Sequence, residues 1–127
     1  MRLAAGLAAI LPMCAPVDQA KPVERCPQHE HLLEAYNPGW DVARMSRIMW
    51  RESRCQPQVR SRTSDTGVLQ INDINRPWLS QRFGFEVTVE TLKNAEFNVR
   101  SSAELFQFWR RVVGDGYQPW KKTSGGS

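Results

Sequence analysis

The chain has 127 residues, with 17 Lys and Arg against 13 Asp and Glu and 41% hydrophobic residues. This length suits one domain with one core rather than several, and the composition excludes a chain that is disordered throughout. The formal net charge of +4 favours an anionic partner, but it does not distinguish nucleic acid, acidic lipid or a bacterial wall polymer.

Residues 1–20 are predicted to be a signal peptide. Arg2 precedes an apolar run over residues 3–11, which is shorter than the roughly 20 residues that a membrane-spanning helix needs. No stable membrane insertion is therefore expected, and the protein should be secreted or wall-associated. No A-x-A cleavage site is clear, so an N-terminal helix of the folded domain is the alternative. Residues 21–120 should form the domain, followed by a disordered tail over residues 121–127.

Two cysteines, Cys26 and Cys55, remain if the first twenty residues are removed. An even pair in a secreted chain is most simply a disulfide, whereas the same pair in a cytoplasmic protein would be two free buried thiols. Neither cysteine has a histidine at zinc-binding spacing, so we expect no metal site and no cofactor.

Periodicity and turn signals predict a mainly α fold with at most a small sheet near residues 62–72. Helices are predicted over residues 28–36, 41–54, 76–83 and about 92–113, with a turn and a short extended segment at 67–72.

The longest predicted helix should bury a stripe formed by Val99, Ala103, Phe106, Trp109 and Val113. Gly114 should end this helix. Before it, Thr88 starts a Thr-x-x-Thr sequence that lacks the Glu or Gln of a full capping box.

Glu52 is the most informative residue of the second predicted helix. The steps from Val42 through Met45 and Met49 to Glu52 are three, four and three residues, so the acid lies on an apolar stripe and in the last turn. Partial burial and the negative end of the helix dipole both disfavour the charged form, which predicts a raised pKa. A carboxylic acid that stays protonated near neutral pH can protonate a glycosidic oxygen. The alternative is an ion pair of Glu52 with Arg51, Arg54 or Arg60 on the surface.

Three features in order resemble the lysozyme superfamily: the Glu-Ser pair at 52–53, the Gly-Val-Leu-Gln-Ile-Asn run at 67–72, and Asn98 in the long helix. The pattern resembles secreted proteins with a lytic transglycosylase (SLT) domain. The run that begins at Asp65, Asp-x-Gly-x-Leu-Gln-Ile-Asn, is also similar to that of animal chicken-type lysozymes. Over residues 26–120, the resemblance implies an α+β lysozyme-like fold with a short β-hairpin beside a cleft.

The resemblance implies an enzyme that cuts the β-1,4 bond between N-acetylmuramic acid and N-acetylglucosamine in peptidoglycan, with Glu52 as the catalytic acid and base. In a hydrolase a second carboxylate, for which Asp65 is the candidate, would stabilise or trap the sugar intermediate. In a lytic transglycosylase the sugar's own 6-hydroxyl closes a 1,6-anhydro ring instead. Asp65 would otherwise cap amides of an ordinary turn. Asp73 is a weaker second candidate, expected instead to start a helix.

Four polar side chains are candidates for substrate binding. Ser53 either supports the glutamate and a substrate N-acetyl group or bonds back to its own helix. Alternation along the extended segment points Gln70 and Asn72 toward the cleft, and the alternative for both amides is a role in holding the loop. Asn98 either reaches the cleft from the long helix or makes an internal hydrogen bond.

Tyr117 and Trp120 are candidates for stacking on sugar rings, because the sequence around them predicts an exposed loop. Longer transglycosylases continue with a helical segment that carries a tyrosine near the glutamate. Whether Tyr117 replaces that tyrosine stays open.

The expected partner is bacterial peptidoglycan, bound by a monomer. Nucleic acid is not expected, because the cationic residues are scattered along the chain and are not interleaved with aromatic ones. The alternative function is a catalytically inactive wall-binding or virion structural module with the same fold.

Overall fold

The computed structural model describes residues 23–121, which form a mainly helical domain with one small antiparallel sheet. Its helices and strands are α1 (Glu30–Ala35), α2 (Val42–Ser53), β1 (Asp65–Thr66), β2 (Ile71–Asn72), α3 (Arg76–Phe83), α4 (Val89–Leu92) and α5 (Ala95–Val113). Short 3-10 helices cover Pro27–His29, Asp73–Asn75 and Gln118–Trp120. The predicted fold class, a small helical domain with a short hairpin, is confirmed.

The predicted signal peptide and residues 122–127 of the predicted tail lie outside the described residues. Within residues 23–121, no helix combines the length and the apolar character required to cross a membrane.

Helix α2 carries Glu52 and forms where the sequence predicts it. Asp41 is its N-cap, and the Asp41 side chain accepts a hydrogen bond of 2.8 Å from the backbone N–H of Arg44. Met45 and Met49 are buried in the main core, as the apolar stripe predicts. The helix ends at Arg54, which adopts a left-handed conformation with φ of 55°.

The predicted single helix over residues 92–113 is wrong at its start. Helix α4 ends at Leu92, and α5 begins after Asn94, whose side chain accepts a hydrogen bond of 2.9 Å from the backbone N–H of Phe97. An internal N-cap therefore divides the segment.

A full capping box begins α4, contrary to expectation. The Thr91 hydroxyl accepts a hydrogen bond of 3.0 Å from the Thr88 backbone N–H, and Thr88 caps Thr91 in return. A threonine hydroxyl thus does what a Glu or Gln side chain does in the usual box.

The core stripe predicted for α5 is correct for Val99, Ala103 and Phe106, which are buried. It is wrong for Val113, which is 53% exposed, and Trp109 is only half-buried. The last turns of α5 extend beyond the core, so the stripe meets solvent there.

A disulfide joins Cys26 to Cys55, as predicted. It connects the residue before the first 3-10 helix to the second residue after α2, and its Cα atoms are 5.5 Å apart. The Cys26 backbone N–H also donates to the Ser46 hydroxyl at 2.8 Å. The end of α2, where Glu52 lies, is therefore held covalently to the start of the domain.

Replacing Cys26 and Cys55 together with serine should lower the free energy of unfolding by about 3 to 4 kcal/mol, because the bond links positions 29 residues apart. Urea unfolding of the oxidised wild type and of the double variant measures the difference. An unchanged urea midpoint would show that the bond does not stabilise the domain.

Candidate active site

Glu52 lies in the last turn of α2 with only 7% of its side chain exposed. The nearest Arg51 guanidinium nitrogen is 3.7 Å from a Glu52 carboxylate oxygen. Glu52 thus lies on the apolar side of the helix, as predicted, and it also has the arginine partner of the alternative. Its raised pKa stays a prediction.

Three side-chain contacts hold the segment 67–70 and the C-terminal 3-10 helix around the end of α2. Ser53 donates from its hydroxyl to the Val68 carbonyl at 2.9 Å. The indole N–H of Trp120 donates to the Leu69 carbonyl at 2.9 Å. Arg51 donates to the Trp120 carbonyl at 3.2 Å. Glu52 is therefore bordered in the sequence by two residues, Arg51 and Ser53, that tie α2 to its surroundings.

The sequence alone assigned Arg51 only a local ion-pair role. Its contact with Trp120 spans 69 positions, so no periodicity or motif within the helix could have revealed it.

Ser53 is buried, and its hydroxyl also lies 3.1 Å from the Met49 carbonyl of its own helix. The internal hydrogen bond left open as an alternative is thus present.

Asn98 is fully buried and makes three hydrogen bonds to the backbone. Its amide nitrogen donates to the carbonyls of Thr66 and Leu92, both at 2.9 Å, and its carbonyl oxygen accepts from the Leu69 N–H at 3.0 Å. The internal role left open for Asn98 is therefore present. This side chain joins strand β1, the turn 67–70 that connects β1 to β2, and the end of α4.

Gln70 has a left-handed backbone with φ of 51°. Its amide nitrogen donates to the carbonyls of Val59 and Gly67 at 3.1 and 3.0 Å. Both bonds use the nitrogen, so the side-chain oxygen keeps its capacity to accept a hydrogen bond.

Asp65 and Asn72 face each other as a pair across β1 and β2. One Asp65 carboxylate oxygen accepts from Ser61 at 2.9 Å and Thr63 at 2.6 Å, and the other accepts from the Asn72 amide at 2.9 Å. The Asn72 side-chain oxygen accepts from the Ile74 backbone N–H at 3.0 Å. The donors to the Asp65 carboxylate are side chains and not the backbone amides that the turn alternative predicts, so Asp65 stabilises the hairpin through side-chain hydrogen bonds.

Asp73 starts the 3-10 helix that precedes α3, in agreement with the helix-start alternative. Its carboxylate binds both terminal nitrogens of Arg60 at 2.8 to 3.1 Å and the Nε of Arg76 at 3.1 Å. The hydrogen bonds from Arg60, followed by those from Arg76, lower the pKa of Asp73 to about 2. Asp73 is therefore ionised at neutral pH and bound to two arginines.

The prediction that Trp120 lies in an exposed loop is wrong. Trp120 is 3% exposed and packs in the main core, where its indole N–H meets Leu69. Tyr117 is half-buried: its hydroxyl accepts from the Asp41 N–H at 2.8 Å, and its ring packs edge-on against Phe106. These two rings cover the core between α2 and α5. The local sequence around them does not indicate this tertiary packing.

Two surface grooves of about 320 Å³ flank the helices, and Glu52 lines neither of them. The first runs along α2 and is lined by Glu24, Arg44, Arg47, Ile48, Trp50 and Arg51. The second lies between α3 and α5 and is lined by Trp78, Gln81, Arg82, Phe108 and Arg111. Only the first shares a residue, Arg51, with the surroundings of Glu52.

No group of three or more His, Cys, Asp or Glu side chains within residues 23–121 is arranged to hold a metal ion.

The family model of the transglycosylase SLT domain matches residues 33–120, from α1 to the last 3-10 helix. The chain belongs to this family. The match includes Glu52, the hairpin and Asn98, and it confirms the resemblance derived from the motifs. At the level of the family, the function is lytic-transglycosylase-type cleavage of peptidoglycan. Searches of curated proteins and of solved structures found no match.

Gly67 begins the segment beside Glu52 and has φ of 89°. A Cβ there would collide with the buried Asn98 amide, so Gly67→Ala should destabilise the domain by about 3 kcal/mol through left-handed strain and overpacking. Gly84→Ala is the matched control, because Gly84 has φ of 82° and no atom within 4 Å of its Cβ position. It should cost about 1 kcal/mol. Equal losses in thermal or urea unfolding would contradict the packing role of Gly67.

Proposed function

We propose that this protein is a lytic transglycosylase that cleaves the β-1,4 bond between N-acetylmuramic acid and N-acetylglucosamine, with Glu52 as general acid and then general base. The observation that carries the proposal is the nearly buried Glu52 carboxyl group at the end of α2, inside the matched family domain. The disulfide and the Ser53 hydrogen bond hold that helix end in place.

In the first step, protonated Glu52 gives its proton to the glycosidic oxygen and the bond from that oxygen to C1 of the muramic acid breaks. The low exposure of Glu52 disfavours its carboxylate whereas the neighbouring Arg51 guanidinium favours it, so the neutral acid that this step needs is part of the proposal. The muramic acid becomes an oxocarbenium-like ion. The Arg51 guanidinium then stabilises the carboxylate that Glu52 has become.

In the second step, the Glu52 carboxylate removes the proton from the 6-hydroxyl of the same muramic acid, and that oxygen bonds to C1. The product carries a 1,6-anhydro ring, and Glu52 is protonated again. One carboxylate is enough for this sequence. The hydrogen bonds that engage both Asp65 oxygens support a positioning role for Asp65 in the hairpin over a role as nucleophile.

Among the candidate substrate contacts, Gln70 is the one that we assign to the sugar. Its side-chain oxygen can accept the N–H of an acetamido group while its nitrogen holds the segment. We assign Ser53, Asn72 and Asn98 to positioning, because their hydrogen bonds go to the backbone or to Asp65.

Tyr117 and Trp120 are assigned to packing of the C-terminal segment rather than to sugar stacking. The disulfide fits a protein that works outside the cytoplasm, where its wall substrate lies. Secretion is part of the proposal.

Glu52→Gln should reduce the release of soluble muropeptides from purified cell walls by at least about 10²-fold, since it removes the proton donor and leaves the shape of the side chain. Glu90→Gln makes the same change at an 83% exposed position in α4 and should leave release unchanged. Circular dichroism and thermal unfolding check that both variants fold. Full activity of Glu52→Gln would refute the assignment. A wild-type protein that binds walls without cleaving them would support the inactive-module alternative.

Mass spectrometry of the wild-type products should show 1,6-anhydro ends, each lighter by one water than the reducing ends of hydrolysis.

Asp65→Asn should keep the anhydro product with a modest loss of stability, about 1 to 2 kcal/mol, because hydrogen bonds around the carboxylate are weakened. Reducing-end products that disappear in Asp65→Asn would instead identify a hydrolase that uses two carboxylates.

A further inference from the structure

Three arginines lie on one face of α2, whose last turn carries Glu52, and a fourth is the C-cap of this helix. The steps between them are three, four and three residues, so they lie in one row beside the apolar stripe. They are Arg44, Arg47, Arg51 and Arg54.

This row borders the first groove, of about 320 Å³, which has three of the arginines and one acid, Glu24, in its lining. Trp50 contributes an aromatic wall, and the Arg54 guanidinium lies 3.9 Å from the centre of its ring. The groove therefore combines excess positive charge with an apolar surface, a combination that suits an anionic organic ligand.

Three of the four arginines are already held in place. Arg44 lies 3.7 Å over the Tyr117 ring, Arg54 covers Trp50, and Arg51 donates to the C-terminal segment. Arg47 is exposed, and within residues 23–121 its guanidinium has no hydrogen bond, ion pair or ring contact. All five of its N–H donors are thus available to a ligand, and a guanidinium binds carboxylates in a bidentate manner.

We propose that this groove, the arginine groove, binds the carboxylates of the peptide stems that muramic acid carries in peptidoglycan. The inference rests on the proposed function, which places a muramic acid at Glu52. Arg47 precedes Glu52 by five positions, about 7.5 Å along the helix axis, and Arg44 by eight, about 12 Å. An extended peptide spans about 3.3 Å per residue, so three residues cover the axial distance to Arg47 and four residues cover the axial distance to Arg44.

The test uses Glu52→Gln as a non-cleaving background and measures binding by isothermal titration calorimetry. The probes are soluble glycan strands that carry peptide stems and the same strands stripped by an amidase. Adding Arg47→Gln should weaken binding of the peptide-bearing strands by about two- to fivefold. Arg47→Glu should weaken it further, since it places a negative charge against the carboxylates. Neither change should affect the stripped strands.

Arg111→Gln is the matched control, because it removes the same charge from the second groove. It should leave binding of both probes unchanged. Equal weakening of both probes by Arg47→Gln, or no weakening of either, would overturn the inference. Failure of the wild type to release muropeptides would refute the proposed function alone, because the comparison of the two probes still decides whether the groove binds peptide stems.

Discussion

The buried Asn98 side chain is the contact on which the site depends. It accepts from the segment beside Glu52 and donates to the hairpin and to the end of α4. If Asn98 were lost, the backbone groups that it binds would have no hydrogen-bond partner in the low-dielectric core. Each unsatisfied group would cost about 1 to 3 kcal/mol of stability. Gly67 is required in the same place, because any side chain there would displace the Asn98 amide. The Asn98 side chain of α5 thus restricts position 67 to glycine and binds the backbone of the segment 67–70 at Leu69.

The surroundings of Glu52 are assembled from parts of the chain that are distant in sequence. Ser53 reaches Val68 across 15 positions, and the C-terminal Trp120 reaches Leu69 across 51. The first of these contacts is made by the residue next to Glu52, whose own side chain is 7% exposed. A small domain therefore fixes the helix end that carries Glu52 by using its disulfide and its last aromatic residue together.

Sequence reasoning was reliable where a local pattern decides the outcome, as in α2, in the disulfide and in the placement of Glu52. It was wrong about Val113 and Trp120, whose burial depends on where the core ends rather than on helical spacing. It was also wrong about the start of α5, because Asn94 caps a separate helix, and about the cap at Thr88, because the Thr91 hydroxyl acts where a Glu or Gln was expected.

The amino-acid sequence alone predicted the mainly α class, the family resemblance, the pairing of Cys26 with Cys55 and the position of Glu52 on an apolar stripe. Each follows from spacing, composition or motif. Only the tertiary structure decided that Asn98 and Trp120 bind backbone carbonyls and that the α2 arginines border a groove. The physical reason is that most of these contacts join segments far apart in the chain, such as Trp120 and Leu69 at 51 positions, and local periodicity carries no information about which distant carbonyl a buried donor will meet.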